Sequence, residues 1–133
     1  MITAIHYFDC FGRINRIEFY GYVLDIHTHI TGCSIVKAAC EIFYDNVYQV
    51  FEKMKITDVG TDEELRNNGY ASLVLSQIIR FAQVLKISKI VGKLSARDIK
   101  NEDDFKKLSH FYGKFGFSVA EDWNISLNIL PKQ

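Results

Sequence analysis

Cysteine is scarce in this chain, and charge of neither sign is in excess. The 133 residues include three cysteines, Cys10, Cys33 and Cys40, an odd number with no C-x-x-C pair. This pattern favours reduced thiols over a disulfide framework or a zinc site, so we predict a cytoplasmic protein without a metal. Sixteen basic residues balance sixteen acidic ones. Because this neutrality leaves no electrostatic footprint for nucleic acid or an anionic membrane surface, we predict neither as a partner.

Long apolar runs are also missing. No segment approaches the roughly 18 consecutive apolar residues of a membrane-spanning helix, and the amino terminus lacks the basic start and apolar run of a signal peptide. The sequence has no linker, repeat or low-complexity segment, and its length fits one domain, which we expect to span residues 1–133. The phosphate-binding patterns G-x-x-x-x-G-K-S/T and G-x-G-x-x-G do not occur, which disfavours the enzyme classes that contain them.

The most informative stretch runs from Met54 to Ser72. Its first half alternates, with Met54 and Ile56 on one side, and the pattern predicts a strand. An acidic link then leads to Gly69 and to a long apolar run that predicts a helix over residues 68–85. The first amides of a helix have no intrahelical acceptors and lie at the positive end of its dipole, so they bind phosphate. A glycine at position 69 would remove one obstruction to that approach.

The rest of the chain predicts an α/β (α+β) domain with a mixed, twisted sheet. We expect a helix that begins with Asn101 as its cap and ends at Gly116 in the left-handed conformation. A His-x-His pair, His27 and His29, predicts either the polar side of a half-buried strand or a metal or proton-relay site. The predicted strands are residues 2–8, 16–30, 33–43, 47–60, a buried strand within 86–96, 117–120 and 124–130.

Two motifs in the right order resemble those of the GNAT superfamily of N-acetyltransferases. Arg66-x-x-Gly69-x-Ala71 lies between a predicted strand and a predicted helix and resembles the family's pyrophosphate-binding signature. The segment from Phe111 to Phe117 resembles the family's Tyr-x-Lys-x-Gly-Phe ending. The resemblance implies the GNAT-type acyl-CoA N-acyltransferase fold and acetyl transfer from acetyl-CoA to a primary amine.

The resemblance also implies where the cofactor binds. Arg66 and the amides of residues 67–71 would hold the diphosphate, and the main chain near the end of the preceding strand would bind the pantetheine arm. We predict a β-bulge at Gly60, although a glycine in a loosening strand end is equally compatible with the sequence. Arg66 also has the simpler interpretation of a surface residue. The predicted cofactor-binding residues are Val59, Gly60, Thr61, Arg66, Asn67, Asn68, Gly69, Tyr70 and Ala71.

For the chemistry, the resemblance implies direct transfer in a ternary complex, with Tyr112 directed at the cofactor sulfur as a general acid. The spacing of Tyr112 from Phe105 and Leu108 is equally typical of a core tyrosine. Neither motif contains a cysteine, so we predict no cysteine acyl-enzyme. The amide of Val59 is the family-based donor to the intermediate's oxyanion. Many family members have a glutamate as the general base where this chain has Lys55. The sequence does not decide what takes over that role: a water chain and several side chains are equally open, namely those of Glu52, Asp58, Asp25, His27 and His29.

The amino-terminal region departs most from the family. Family members place two helices between their first two strands, as part of the acceptor wall, and this sequence has little room for them. Either the wall is minimal or another subunit, as in a homodimer, supplies it. The acceptor, a small-molecule or protein amine, is not identified by the sequence. Lys55 and the short front wall favour an alternative function, a non-catalytic acyl-CoA-binding or protein-interaction module on the same fold.

Overall fold

The computed structural model of the chain describes residues 2–22, 34–61, 70–95 and 99–129. Within these residues seven strands and two helices follow one another. The strands are β1 (Ile2–Phe8), β2 (Ile14–Tyr22), β3 (Ser34–Asp45), β4 (Val50–Thr61), β5 (Lys89–Lys93), β6 (Ser118–Val119) and β7 (Asn124–Asn128). The helices are α1 (Tyr70–Val84), between β4 and β5, and α2 (Glu102–Gly113), between β5 and β6.

All seven strands form one mixed sheet in the order β1-β2-β3-β4-β5-β7-β6. Neighbours are antiparallel except for β4 and β5, which are parallel and are joined through α1. A parallel pair requires such a crossover, and the apolar run from residue 70 onward supplies its helix. The predicted mixed sheet with flanking helices is therefore confirmed.

The hydrophobic core lies on the sheet face that α1 covers. Register partners share a face, so Ile17, Cys40 and Ile56 lie side by side on three neighbouring strands. Phe81 of α1 contacts the ring of Phe19 on β2 at 6.3 Å between centroids. The α1 residues that are fully or almost fully buried against this face are Val74, Leu75, Ile78 and Ala82. The long apolar run of the sequence thus holds α1, the helix that follows β4 in the chain, against the sheet.

Helix α2 has the ends that the sequence predicts. The Asn101 side chain caps it by accepting a hydrogen bond from the Asp104 amide at 2.9 Å. Three acidic residues in the first turn, 102–104, complement the positive end of the helix dipole. Gly116 follows the last turn with φ of +94°, where a residue without Cβ avoids steric strain.

The connection between β1 and β2 is a turn over residues 9–13 rather than a pair of helices. The Asp9 carboxylate closes it by accepting hydrogen bonds from the amides of Phe11 (2.9 Å) and Arg13 (3.0 Å). These bonds, together with the Arg13 guanidinium, hold the pKa of Asp9 below its usual value; the largest contribution is the Arg13 amide. The predicted reduction of the amino-terminal helices is confirmed. His27, His29 and the predicted hairpin turn at residues 31–32 lie outside the described residues.

Candidate functional site

A β-bulge interrupts β4, but not at the position that we predicted. Ala39 of β3 pairs with Asp58, and the next residue, Cys40, pairs with Ile56, so Thr57 is the additional residue. Gly60 pairs regularly with Lys37. The prediction of a bulge at Gly60 is therefore wrong. A glycine only tolerates a bulge, whereas cross-strand pairing decides where the additional residue lies.

The bulge coincides with the point where β4 and β5 separate. Their parallel pairing covers residues 54–56 of β4 and ends at Ile56 and Gly92. β4 continues as far as Thr61, paired with β3 alone, and β5 remains paired with β7 as far as Lys93. The backbone of residues 57–61 therefore borders a gap in the ladder on its β5 side. An extended molecule that offers amide groups could pair there as an added strand.

The start of α1 follows this gap in the chain. Tyr70 opens the helix and Ala71 is half-buried within its first turn, which contains no acidic residue. The amides of a first turn without carboxylates are a favourable place for an anion. Val59, Gly60 and Thr61 form the free end of β4. The other predicted diphosphate ligands, Arg66, Asn67, Asn68 and Gly69, lie outside the described residues, and their roles stay predictions.

Tyr112 lies on the core side of α2. Only 8% of the residue is exposed, and its ring meets those of Phe117 and Phe111 edge-on, at 5.6 Å and 5.2 Å between centroids. Its backbone carbonyl accepts from the amide of Phe117 at 3.2 Å, which closes the helix end. This packing fixes the ring and is compatible with both predicted roles, a core tyrosine and a positioned acid.

Lys55 lies on the sheet face opposite to α1. Register places it in a row with Glu41, Arg16 and Tyr7 on the three preceding strands. We call this side of the sheet the open face, because the turn 9–13 puts no helix between β1 and β2 to cover it. Lys55 is exposed there. A charged ammonium donates hydrogen bonds but cannot accept a proton, so Lys55 in its charged form does not replace the family's glutamate.

A polar cluster on the open face was missed by sequence reasoning. The Glu18 carboxylate accepts hydrogen bonds from the hydroxyl of Tyr20 and from Arg16 Nε, the latter at 3.4 Å. The bond from Tyr20 and a second one from Tyr7 lower the pKa of Glu18, and the bond to Glu18 raises the pKa of Tyr7. The lowered pKa makes Glu18 a weaker base than an ordinary carboxylate. The alternation of residues 16, 18 and 20 along one strand was the signal that could have revealed this cluster.

Cys40 does not have the environment of a nucleophile. It is fully buried on β3, and burial raises the pKa of its thiol to about 12. A thiol that stays protonated at neutral pH attacks carbonyl carbon poorly. Cys10 is exposed and lies in the turn between β1 and β2. Cys33 lies outside the described residues, and the absence of a cysteine acyl-enzyme stays a prediction.

The described residues contain neither a helix suited to crossing a membrane nor a group suited to holding a metal ion. No described helix is both long enough and apolar enough to cross a membrane. Across residues 2–22, 34–61, 70–95 and 99–129, no group of three or more histidine, cysteine or acidic residues is placed to hold a metal ion. The cytoplasmic location, the absence of a metal and the extent of the domain over residues 1–133 stay predictions.

Solved structures with the same architecture identify the fold. The NatC complex bound to Gag peptide and CoA matches with a TM-score of 0.63 and 12% identity, over 86% of this chain and 71% of that one. A GNAT-family acetyltransferase from Streptococcus pneumoniae matches with a TM-score of 0.59 and 17% identity, over 87% and 68%. The KacTA–DNA complex matches with a TM-score of 0.57 and 9% identity, over 86% and 68%.

These likenesses are structural only. No family model matches the sequence, and no curated protein is similar to it in sequence. At such identities the matches establish the fold and leave the activity open. The chain has the GNAT fold, as its two motifs predicted.

Proposed function

We propose that this protein is an N-acetyltransferase that moves an acetyl group from acetyl-CoA to a primary amine, directly and within a ternary complex. The observation that supports this most is the gap between β4 and β5 beyond Ile56 and Gly92, in a GNAT fold. An extended pantetheine arm has the length and the amide groups to pair with residues 57–61. The start of α1, with no acidic residue in its first turn, would then receive the diphosphate.

In the proposed reaction the amine nitrogen attacks the thioester carbonyl carbon, so that the C–N bond forms while the carbonyl π bond opens to an oxyanion. The C–S bond breaks when this intermediate collapses; the nitrogen loses a proton to water or to a base, and the departing thiolate gains one from the Tyr112 hydroxyl. Solvent then reprotonates the phenolate. The amide of Val59 would stabilise the oxyanion of the intermediate. A lysine-like acceptor has a pKa of about 10.4, so the rate should rise with pH above neutrality as the neutral amine becomes more abundant.

Calorimetric titration of the full chain with CoA tests the binding step. We expect a dissociation constant well below 1 mM for the wild type and its loss in Gly69→Glu, because the new carboxylate would repel the diphosphate. Gln77→Glu is the matched control, since it adds the same charge to an exposed position of α1. Absence of binding by the wild type at millimolar CoA, or unaltered binding by Gly69→Glu, would contradict the proposal.

The second candidate is a non-catalytic acyl-CoA-binding or protein-interaction module. Two observations favour it: exposed Lys55 at the family's usual base position and the short turn 9–13 in place of the acceptor wall. A thiol-release assay with acetyl-CoA and a panel of amines separates the two functions. Turnover on any amine supports the enzyme, and CoA binding without turnover on any of them supports the module.

Partners differ among proteins of this fold. One structural neighbour is solved with a peptide and CoA, and another as a complex with DNA. We propose a small-molecule or protein amine as the acceptor here. The neutral composition is our argument against nucleic acid, and retardation of a DNA duplex by the purified protein at low salt would overturn it.

A further inference from the structure

Thr57 is both the additional residue of the β4 bulge and the donor of a long-range hydrogen bond. Its hydroxyl donates to the backbone carbonyl of Ala39 on β3 at 3.0 Å. Ala39 is also the residue at which the β3–β4 register shifts. The bond therefore fastens the bulged residue to the partner strand at the irregular step.

A bulge leaves its additional residue without a place in the ladder and bends the strand that contains it. A backbone carbonyl facing such a step needs another donor, because an unsatisfied polar group next to a buried residue is costly. Ala39 is 2% exposed, so water has little access to it. The Thr57 hydroxyl supplies the donor and so favours the bulged arrangement over a regular one.

The bulge determines which residues of β4 reach β5. Pairing with β5 stops at Ile56, the residue just before Thr57. β5 stays paired with β7 as far as Lys93, beyond the point where β4 leaves it, and Gly92 leaves little room beside it, since an added Cβ atom would lie 3.3 Å from the Ile125 side chain. β5 is thus held in tight packing between β4 and β7, and β4 is the strand that turns away.

We infer that Thr57 is a positioning residue: its hydroxyl holds the β4 bulge that keeps residues 57–61 apart from β5 and available to the acyl-CoA arm. Its use in acetyl transfer rests on the proposed function. The holding of the bulge is a property of the free protein and is tested separately below.

The kinetic test compares Thr57→Val, which keeps the shape and removes the hydroxyl, with Thr57→Ser, which keeps the hydroxyl. We expect Thr57→Val to raise the KM for acetyl-CoA about fivefold, the ratio that corresponds to one ordinary hydrogen bond of ~1 kcal/mol, with kcat within about twofold. Thr57→Ser should restore the wild-type KM. Ser88→Ala is the matched control, because Ser88 donates to the carbonyl of Glu52 (3.3 Å) near the other end of β4. It should leave KM unchanged.

The test without ligand is amide hydrogen exchange. In Thr57→Val the amides of residues 58–61 should exchange at least about threefold faster than in the wild type, since their pairing with β3 loses its fastening. Unchanged exchange there overturns the inference, as does an equal rise in KM for the Val and Ser variants. A wild type that binds no CoA would refute the proposed function alone, and exchange would then decide the role of Thr57.

Discussion

The two ends of β4 have opposite roles in this molecule. Residues 54–56 lie between two neighbouring strands, β3 and β5, and Met54 and Ile56 are buried in the core. From Thr57 to Thr61 it is paired on one side only, beyond a bulge. We call residues 54–56 the closed end of β4, which contributes to stability. We call residues 57–61 the open end, whose backbone groups on the β5 side are available to a ligand.

The difference shows how a ligand site can arise from backbone alone. The strand pairing of the backbone distinguishes the open end. It begins at the additional residue Thr57, where the pairing with β5 has ended after Ile56; a second register shift, with Glu52 as the additional residue, lies near the start of β4. In this account the identities of the side chains at residues 58–61 matter less to cofactor binding than the gap beside them.

The largest expected effect is catalytic, and it tests the reaction of the ligand that the open end is proposed to bind. Tyr112→Phe should lower kcat by about 10²–10⁴, because it removes the proposed acid and keeps the ring that packs on Phe117. The KM for acetyl-CoA should stay within about threefold. Steady-state kinetics checks this, with Tyr48→Phe as the control at a position that is 77% exposed. An unchanged kcat would assign Tyr112 to the core alone.

The closed end should respond through stability. Met54 is fully buried, so Met54→Ala should lower the free energy of unfolding by about 2–5 kcal/mol through lost burial and a cavity. Lys55→Ala, at the exposed neighbouring position, should change it by less than about 0.5 kcal/mol. Urea denaturation measures both. A cost below about 1 kcal/mol for Met54→Ala would mean that the closed end is not the stable part of β4.

Much of the fold could be predicted because its signals are local. The period-2 strands, the apolar helix after residue 69 and the Asn101 cap with Gly116 each depend on residues a few positions apart, and the structure confirms them. The element ends differ by a few residues; β4, for example, was expected over residues 47–60 and is found at Val50–Thr61. The GNAT fold followed from two short motifs in the right order.

The candidate site was harder to predict because its determinants are non-local. The hydroxyl of Thr57 meets a carbonyl 18 positions earlier in the chain, and no pattern around Thr57 indicates this. Gly60 offered a local signal for the bulge, and that signal was misleading. Residues 16, 18 and 20 alternate visibly, but the contribution of Tyr7, on the neighbouring strand, to the Glu18 cluster depends on the strand pairing.

The most direct test of the account is a titration of the labelled protein with CoA, followed through the amide resonances of β4. We expect residues 57–61 to shift with saturation and residues 54–56 to stay nearly in place, since residues 54–56 are already paired on both sides. Saturable shifts confined to residues 54–56, or a bound CoA that leaves residues 57–61 unperturbed, would contradict it.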